Sequence, residues 1–216
     1  MMAKNLSILL ISVVLWCIGC ASHPTVIPKE PRKGVTNMGF TLSAENLFPA
    51  IWMRRGLNRY TDMGFRLGIP PWYGTGVDIN RTLFRKGRKW DTLNLAYNFS
   101  PNSSYDFTYY KFKRARKAKK GKSPGVNWVG ARSMVIPKGM LGGQSLRFGM
   151  LYGRKVGEKM GVEFGYFHNL SSTTSADEES ESYPSDFVKN ISEHSARVGY
   201  SFQVFYDLGQ TKKQKK

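Results

Sequence analysis

The sequence predicts an all-β protein, an antiparallel up-and-down barrel of about ten strands with eight as the alternative. Three observations carry that expectation. Apolar residues alternate strictly with small or charged ones in segment after segment. In TDMGFRLGI at 61–69, Thr61, Met63, Phe65, Leu67 and Ile69 fall on one side of an extended chain, and Asp62, Gly64, Arg66 and Gly68 on the other. Turn chemistry such as SPNSS at 100–104 separates the segments. No amphipathic helical pattern intervenes.

The elements follow in order. Met38, Phe40 and Leu42 alternate with Gly39, Thr41 and Ser43 in a first strand at 36–44. A second, 47–56, contains Pro49 and sets Leu47, Ile51 and Met53 against Phe48, Ala50 and Trp52, which leaves its register open. GLNRY turns the chain into 61–69. At 73–83, Val77, Ile79 and Leu83 oppose Gly74, Gly76, Asp78 and Asn80, and RKGRK leads into 90–99, where Leu93, Leu95, Tyr97 and Phe99 oppose Thr92, Asn94 and Asn98. YDFTYYKF at 105–112 precedes a basic loop, KRARKAKKGK at 113–122. In 126–136, Trp128, Met134 and Ile136 alternate with Val129, Ala131 and Ser133, with Arg132 on the bulkier face. The last three strands are 145–155, 160–168 and 194–206. Most approach the roughly 9–11 residues that a tilted membrane strand needs.

Alternation creates two faces without saying which is inside. A soluble sheet buries the apolar face, whereas a membrane barrel turns it to lipid and keeps the polar face in its lumen. A wetted sheet face favours Lys, Glu, Thr and Gln. Here the polar face is instead Gly-Asp-Gly-Arg, which suits the crowded interior of a small barrel where opposite charges pair. Lysines collect in turns and termini, and Trp72, Tyr73, Trp90, Phe99, Tyr105 and Trp128 fall near strand ends, where interfacial aromatic girdles are expected. The preferred reading is therefore a transmembrane barrel, in which Phe65, Leu67, Val77, Ile79, Phe164 and Phe202 meet lipid. A soluble lipocalin-like carrier would turn the same residues inward around an apolar ligand.

Lys4 and the apolar run Leu6–Ile18 lead into CIGCAS. The run is short for a membrane span and ends at a small residue before Cys20. This stretch resembles the lipobox of bacterial lipoproteins, although Cys17 stands where Leu is usual, and the resemblance implies cleavage after residue 19 and lipidation of Cys20. Ala21 and Ser22 after the cysteine, by the enterobacterial sorting pattern this resembles, imply transport to the outer membrane. Pro24, Pro28 and Pro31, without apolar periodicity, make 20–35 a tether. The expected organisation is a leader at 1–19, the tether, a barrel at 36–206 and a basic tail at 207–216. Cys17 lies in the leader and Cys20 opens the tether, so no disulfide, zinc site or cysteine nucleophile is expected in the body.

The repeated alternation over 36–206 resembles the outer-membrane β-barrel proteins of Gram-negative bacteria. The resemblance is to an architecture and not to one named family, and it implies residence in the outer membrane with lipid and lipopolysaccharide as partners. With the N-terminus on the periplasmic side, the turns at 57–60, 84–89, 113–125 and 156–159 would be periplasmic, and the long loop 169–192 extracellular. Such barrels often end on an aromatic, whereas this chain continues past Phe205 and Tyr206 to DLGQTKKQKK.

The net charge of +18 would ordinarily suggest a nucleic-acid partner. The exported N-terminus and the absence of nucleic-acid-binding motifs argue against one. The candidate lumen charges are Asp62, Arg66, Asp78, Arg147, Glu163 and Arg197. They could select ions or small polar solutes, but a barrel of eight to ten strands has room for little beyond its own side chains, which favours a lumen plugged by paired charges. Catalysis has thin support: His168 and His194 flank a loop holding Ser171, Asp177 and Glu193 without a nucleophile motif, so a hydrolase is only a second alternative. The acidic stretch Asp177, Glu178, Glu179 and Glu181 lacks the register of a calcium loop, and neither a metal nor a cofactor is expected. The basic loop 113–122 is a candidate site for an anionic partner.

Overall fold

The computed structural model describes residues 27–43, 49–68, 74–99, 103–116, 125–137, 145–170 and 198–211. Ten antiparallel strands form a closed barrel in which each strand pairs with its sequence neighbours and the last closes on the first. They are β1 (Thr36–Ser43), β2 (Ala50–Gly56), β3 (Thr61–Gly68), β4 (Gly76–Lys86), β5 (Lys89–Asn98), β6 (Ser104–Arg114), β7 (Val126–Ile136), β8 (Ser145–Lys155), β9 (Met160–Asn169) and β10 (Val198–Thr211). Among the described residues there is no helix. The ten-strand antiparallel barrel expected from the alternation is the fold observed.

An even strand number leaves Thr36 and Thr211 on the same rim, here called proximal, where they pair with each other across the closing seam. The turns 57–60, 87–88 and 156–159 lie on that rim. Two of them show how local chemistry fixes the register. Gly87 takes a φ of 58° in a two-residue turn between Lys86 and Lys89, a left-handed conformation that suits glycine. The Asn58 side chain accepts from the amides of Tyr60 and Thr61, both at 2.8 Å, and so closes the β2–β3 turn.

The strand ends differ in places from the sequence reading. Lys113 and Arg114, assigned to the basic loop, belong to β6, and Asp207–Thr211, assigned to the tail, belong to β10. β10 runs on past Phe205 and Tyr206 because it keeps pairing with β1 around a bulge, where Gly209 has a φ of 128°. Within the stretch read as a tether, residues 27–35 pack against the proximal rim. Gly34 donates to the Gly56 carbonyl at 2.8 Å, Gly56 donates to the Val35 carbonyl at 3.0 Å, and Ile27 is buried.

The faces are sorted as the inside-out reading requires. Phe65, Leu67, Val77, Ile79, Phe164 and Phe202 all project outward and are exposed. Polar and charged residues are at least as prominent as apolar ones among the buried side chains, which is the reverse of a soluble core. In β7 the distribution differs from the other strands. Its bulkier face, Trp128, Arg132, Met134 and Ile136, points inward, and Val129, Ala131, Ser133 and Val135 point outward.

Candidate functional site

The barrel interior is the candidate site, and its side chains fall into three groups. The first centres on Arg54. The inward series of β2, Ala50, Trp52, Arg54 and Gly56, carries this guanidinium over Gly64 of β3, where it forms ion pairs with both Asp62 and Asp78. Asn94 then donates to Asp78 and to Asn80, each at 2.7 Å. Two carboxylates against one cation are tolerable in a buried site because the amide donor supports the second. Gly64 matters here by its missing side chain. A Cβ at that position would collide with the Asp78 carboxylate and the Arg54 guanidinium.

The second group lies toward the opposite, distal rim. Arg66 donates to the Gly74 carbonyl and, at 2.7 Å, to Asn98, which donates onward to Ser104 at 2.9 Å and Asp106 at 3.0 Å. The chain of donors ties β3 to β5 and β6, so a polar interior becomes a cross-brace between strands.

The third group occupies the wall from β5 round to β10. Arg132 is fully buried and donates to Thr108 at 2.8 Å and to the Tyr110 hydroxyl at 2.9 Å. Glu163 accepts from Trp128 Nε1 at 2.7 Å and from Gln203 at 2.8 Å. Below these, Trp90 stacks on Phe112 with ring centroids 5.1 Å apart, and Phe112 and Phe205 each lie 6.0 Å from Trp128. Interior glycines make room for the rings: Gly153 has the Trp128 indole, and Gly161 the Phe205 ring, where a side chain would stand. The aromatic layer therefore lines the inner wall from β5 round to β10, beneath the proximal rim.

Residues 27–35 cover that rim. Lys29 pairs with Asp207 of β10, while Glu30 pairs with Arg85 of β4 at 2.9 Å and lies 3.6 Å from Arg114 of β6. β4 and β6 flank β5, which faces β10 across the ring of ten, so two adjacent residues hold opposite walls.

Of the lumen charges expected from sequence, Asp62, Arg66 and Glu163 are buried inside, Asp78 is in the Arg54 pair, and Arg147 is half-buried on the inward register of β8, between Met134 and Asn169. Arg197 and the lipidation candidate Cys20 lie outside the described residues, as do His194, the acidic stretch and most of the basic loop. The sequence reading did not assign Arg54, Arg132, Asp106 or Asp207 to the lumen. Continuing the alternation of β6 and β10 would have found Asp106 and Asp207. Two aromatic assignments need correction: Trp90 and Trp128 are 2% and 1% exposed and belong to the interior layer, not to an outer girdle. They lie near strand ends as expected, but on the inward phase. Phe99 and Tyr105 are exposed, and Trp72 and Tyr73 lie outside the described residues. His168 points outward on β9, on the face opposite the lumen. Among the described residues no group of three or more acids, histidines or cysteines could hold a metal.

Comparison with protein-family models, curated proteins and solved structures returned no match.

Proposed function

We propose that the protein is a lipid-anchored outer-membrane β-barrel with a structural role, its lumen closed by its own side chains. The observation that carries the reading is the inversion of the barrel. A continuous outer belt that includes Phe65, Ile79, Phe107, Phe148, Phe164 and Phe202 surrounds an interior built on Arg54, Asp62, Asp78, Arg66 and Arg132. In water such a belt would be an exposed apolar surface far beyond that of an ordinary monomer, and in hydrocarbon it is the favoured surface. Closed antiparallel pairing satisfies the strand hydrogen bonds without water, as a bilayer demands.

A closed structural barrel is favoured over a passage for solutes, because the segment 27–35 ties β10 to β4 and β6 across the proximal end and the buried aromatic layer fills lumen space beneath it. A narrow pore for ions or small polar solutes is the second reading, supported by the polar chain from Arg66 to Asp106 that reaches the distal rim. The carrier alternative requires an apolar interior, and the residues that would have formed it face outward.

Expressed with its leader in a Gram-negative host, the protein should fractionate with the outer membrane, resist carbonate extraction and migrate faster on gels before boiling than after. Cys20→Ala should abolish fatty-acid labelling while leaving that gel shift intact. Recovery as a monodisperse protein in detergent-free buffer would overturn the membrane reading.

A further inference from the structure

Among the described residues, outward charge on β4, β5 and β6 concentrates toward the proximal rim. On β4, β5 and β6 the outward positions near the proximal rim are Lys86, Lys89, Lys111 and Lys113, all exposed. Register places Lys86 opposite Lys89, and Lys89 opposite Lys113, so three ammonium groups stand in a row across neighbouring strands. Like charges directly opposite each other on a sheet destabilise it unless a counter-charge is supplied. The nearby acid, Asp91, stands opposite Lys111 and accepts from the Tyr109 hydroxyl at 2.6 Å, and among the described residues none of the four lysines forms an ion pair.

The lysines border a shallow groove of about 500 Å³ that is also lined by Asp91 and Asn127 and, beyond these, by apolar surface including Phe84, Val129 and Tyr152. These three are 68%, 51% and 52% exposed, so the groove opens outward, away from the lumen. Moving away from the rim, one cation remains in the row Arg81, Leu93 and Tyr109, and the next row is apolar, with Ile79, Leu95 and Phe107 in register across β4, β5 and β6. At the distal rim the same strands present Val77, Tyr97 and Tyr105 in a register row without a cation.

We infer that this groove is a binding site for the headgroup of an anionic glycerophospholipid in the leaflet at the proximal rim. The inference rests on the membrane reading above. The lysines supply point charges to a phosphodiester at headgroup depth, and the apolar surface beside them receives the acyl chains. A free anion would use the lysines alone. A lipid uses both halves of the groove, and this continuity of charge with the apolar belt selects the lipid as occupant.

The test uses the full-length protein in maltoside micelles, titrated with dioleoylphosphatidylglycerol or dioleoylphosphatidylcholine, with retained lipid counted by native mass spectrometry. The anionic lipid should be retained about tenfold over the zwitterionic one at equal mole fraction. The variant K86Q/K89Q/K111Q/K113Q should lose that preference while keeping the unheated gel shift. Should it fail to fold, K89Q/K113Q, which removes two of the three cations in the row, should reduce the preference several-fold. Equal retention of the two lipids, or an undiminished preference in the folded variant, would overturn the site. Displacement of the lipid by inorganic phosphate at matched concentration would overturn the lipid as its occupant. A protein that stays monodisperse without detergent would instead count against the membrane reading, a result distinct from a barrel that inserts and shows no lipid preference.

Discussion

Arg54 holds two buried carboxylates that have no comparable second cation in the described network. Its removal leaves Asp62 and Asp78 facing each other in the interior. Arg54→Met should therefore destabilise the barrel by about 3–5 kcal/mol, seen as a lower urea midpoint for unfolding from phospholipid vesicles. Adding Asp62→Asn should recover part of the loss by removing one uncompensated charge, and an unchanged midpoint in the single variant would contradict the clamp. The acids of this clamp were legible because both fall on faces that alternate with glycine and clear apolar neighbours. Arg54 was not, because Pro49 and the mixed run Leu47–Trp52 obscured the phase of β2. The glycines carried the other residue-level signal. Gly64 between Asp62 and Arg66 marked a crowded face, and the crowding is the Arg54–Asp78 pair itself.

At the scale of one strand, alternation identifies two faces but assigns neither to the lumen. For β3 and β9 the face with glycine and charge was inside, as the sequence suggested. For β7 both faces carry apolar residues, and the strand turns its bulkier one inward because Gly130, Gly153 and Gly161 leave space there for large rings on β6, β7 and β10. That complementarity is a pairing between strands, which a strand read alone does not contain. The outward faces make a depth-dependent prediction. Phe65 sits between Met53 and Val77 within the apolar belt, whereas Tyr105 opens β6 at the distal rim. Phe65→Arg should cost about 2–4 kcal/mol in vesicles and Tyr105→Arg about 0–1, measured by the same urea midpoints. Equal costs at the two positions would place the belt in a uniform solvent and contradict the membrane reading.

The whole molecule was the most legible level, because a closed meander needs only local turns and an even number of alternating segments. What could not be read was the closure of its proximal end. Prolines without periodicity describe an extended chain equally well whether it is free or laid across a rim, and the contacts that decide between these, Lys29 with Asp207 and Glu30 with Arg85, join residues far apart in sequence. On the structural reading proposed above, closure is double: the segment 27–35 lies over the rim, and the Trp90, Phe112, Trp128 and Phe205 layer lies beneath it. The two barriers act in series, so opening one leaves the other. In planar bilayers the unaltered protein should insert without stepwise conductance. Lys29→Gln with Glu30→Gln, which removes only the ion pairs of the rim segment, should leave the bilayer current unchanged. Only the further change Trp128→Ala, which takes away the ring that reaches Phe205 and Glu163, should produce steady ion conduction. Conduction by the unaltered barrel, or by the Lys29→Gln/Glu30→Gln protein alone, would show that the aromatic layer does not seal the lumen and would favour the narrow-pore reading over the structural one.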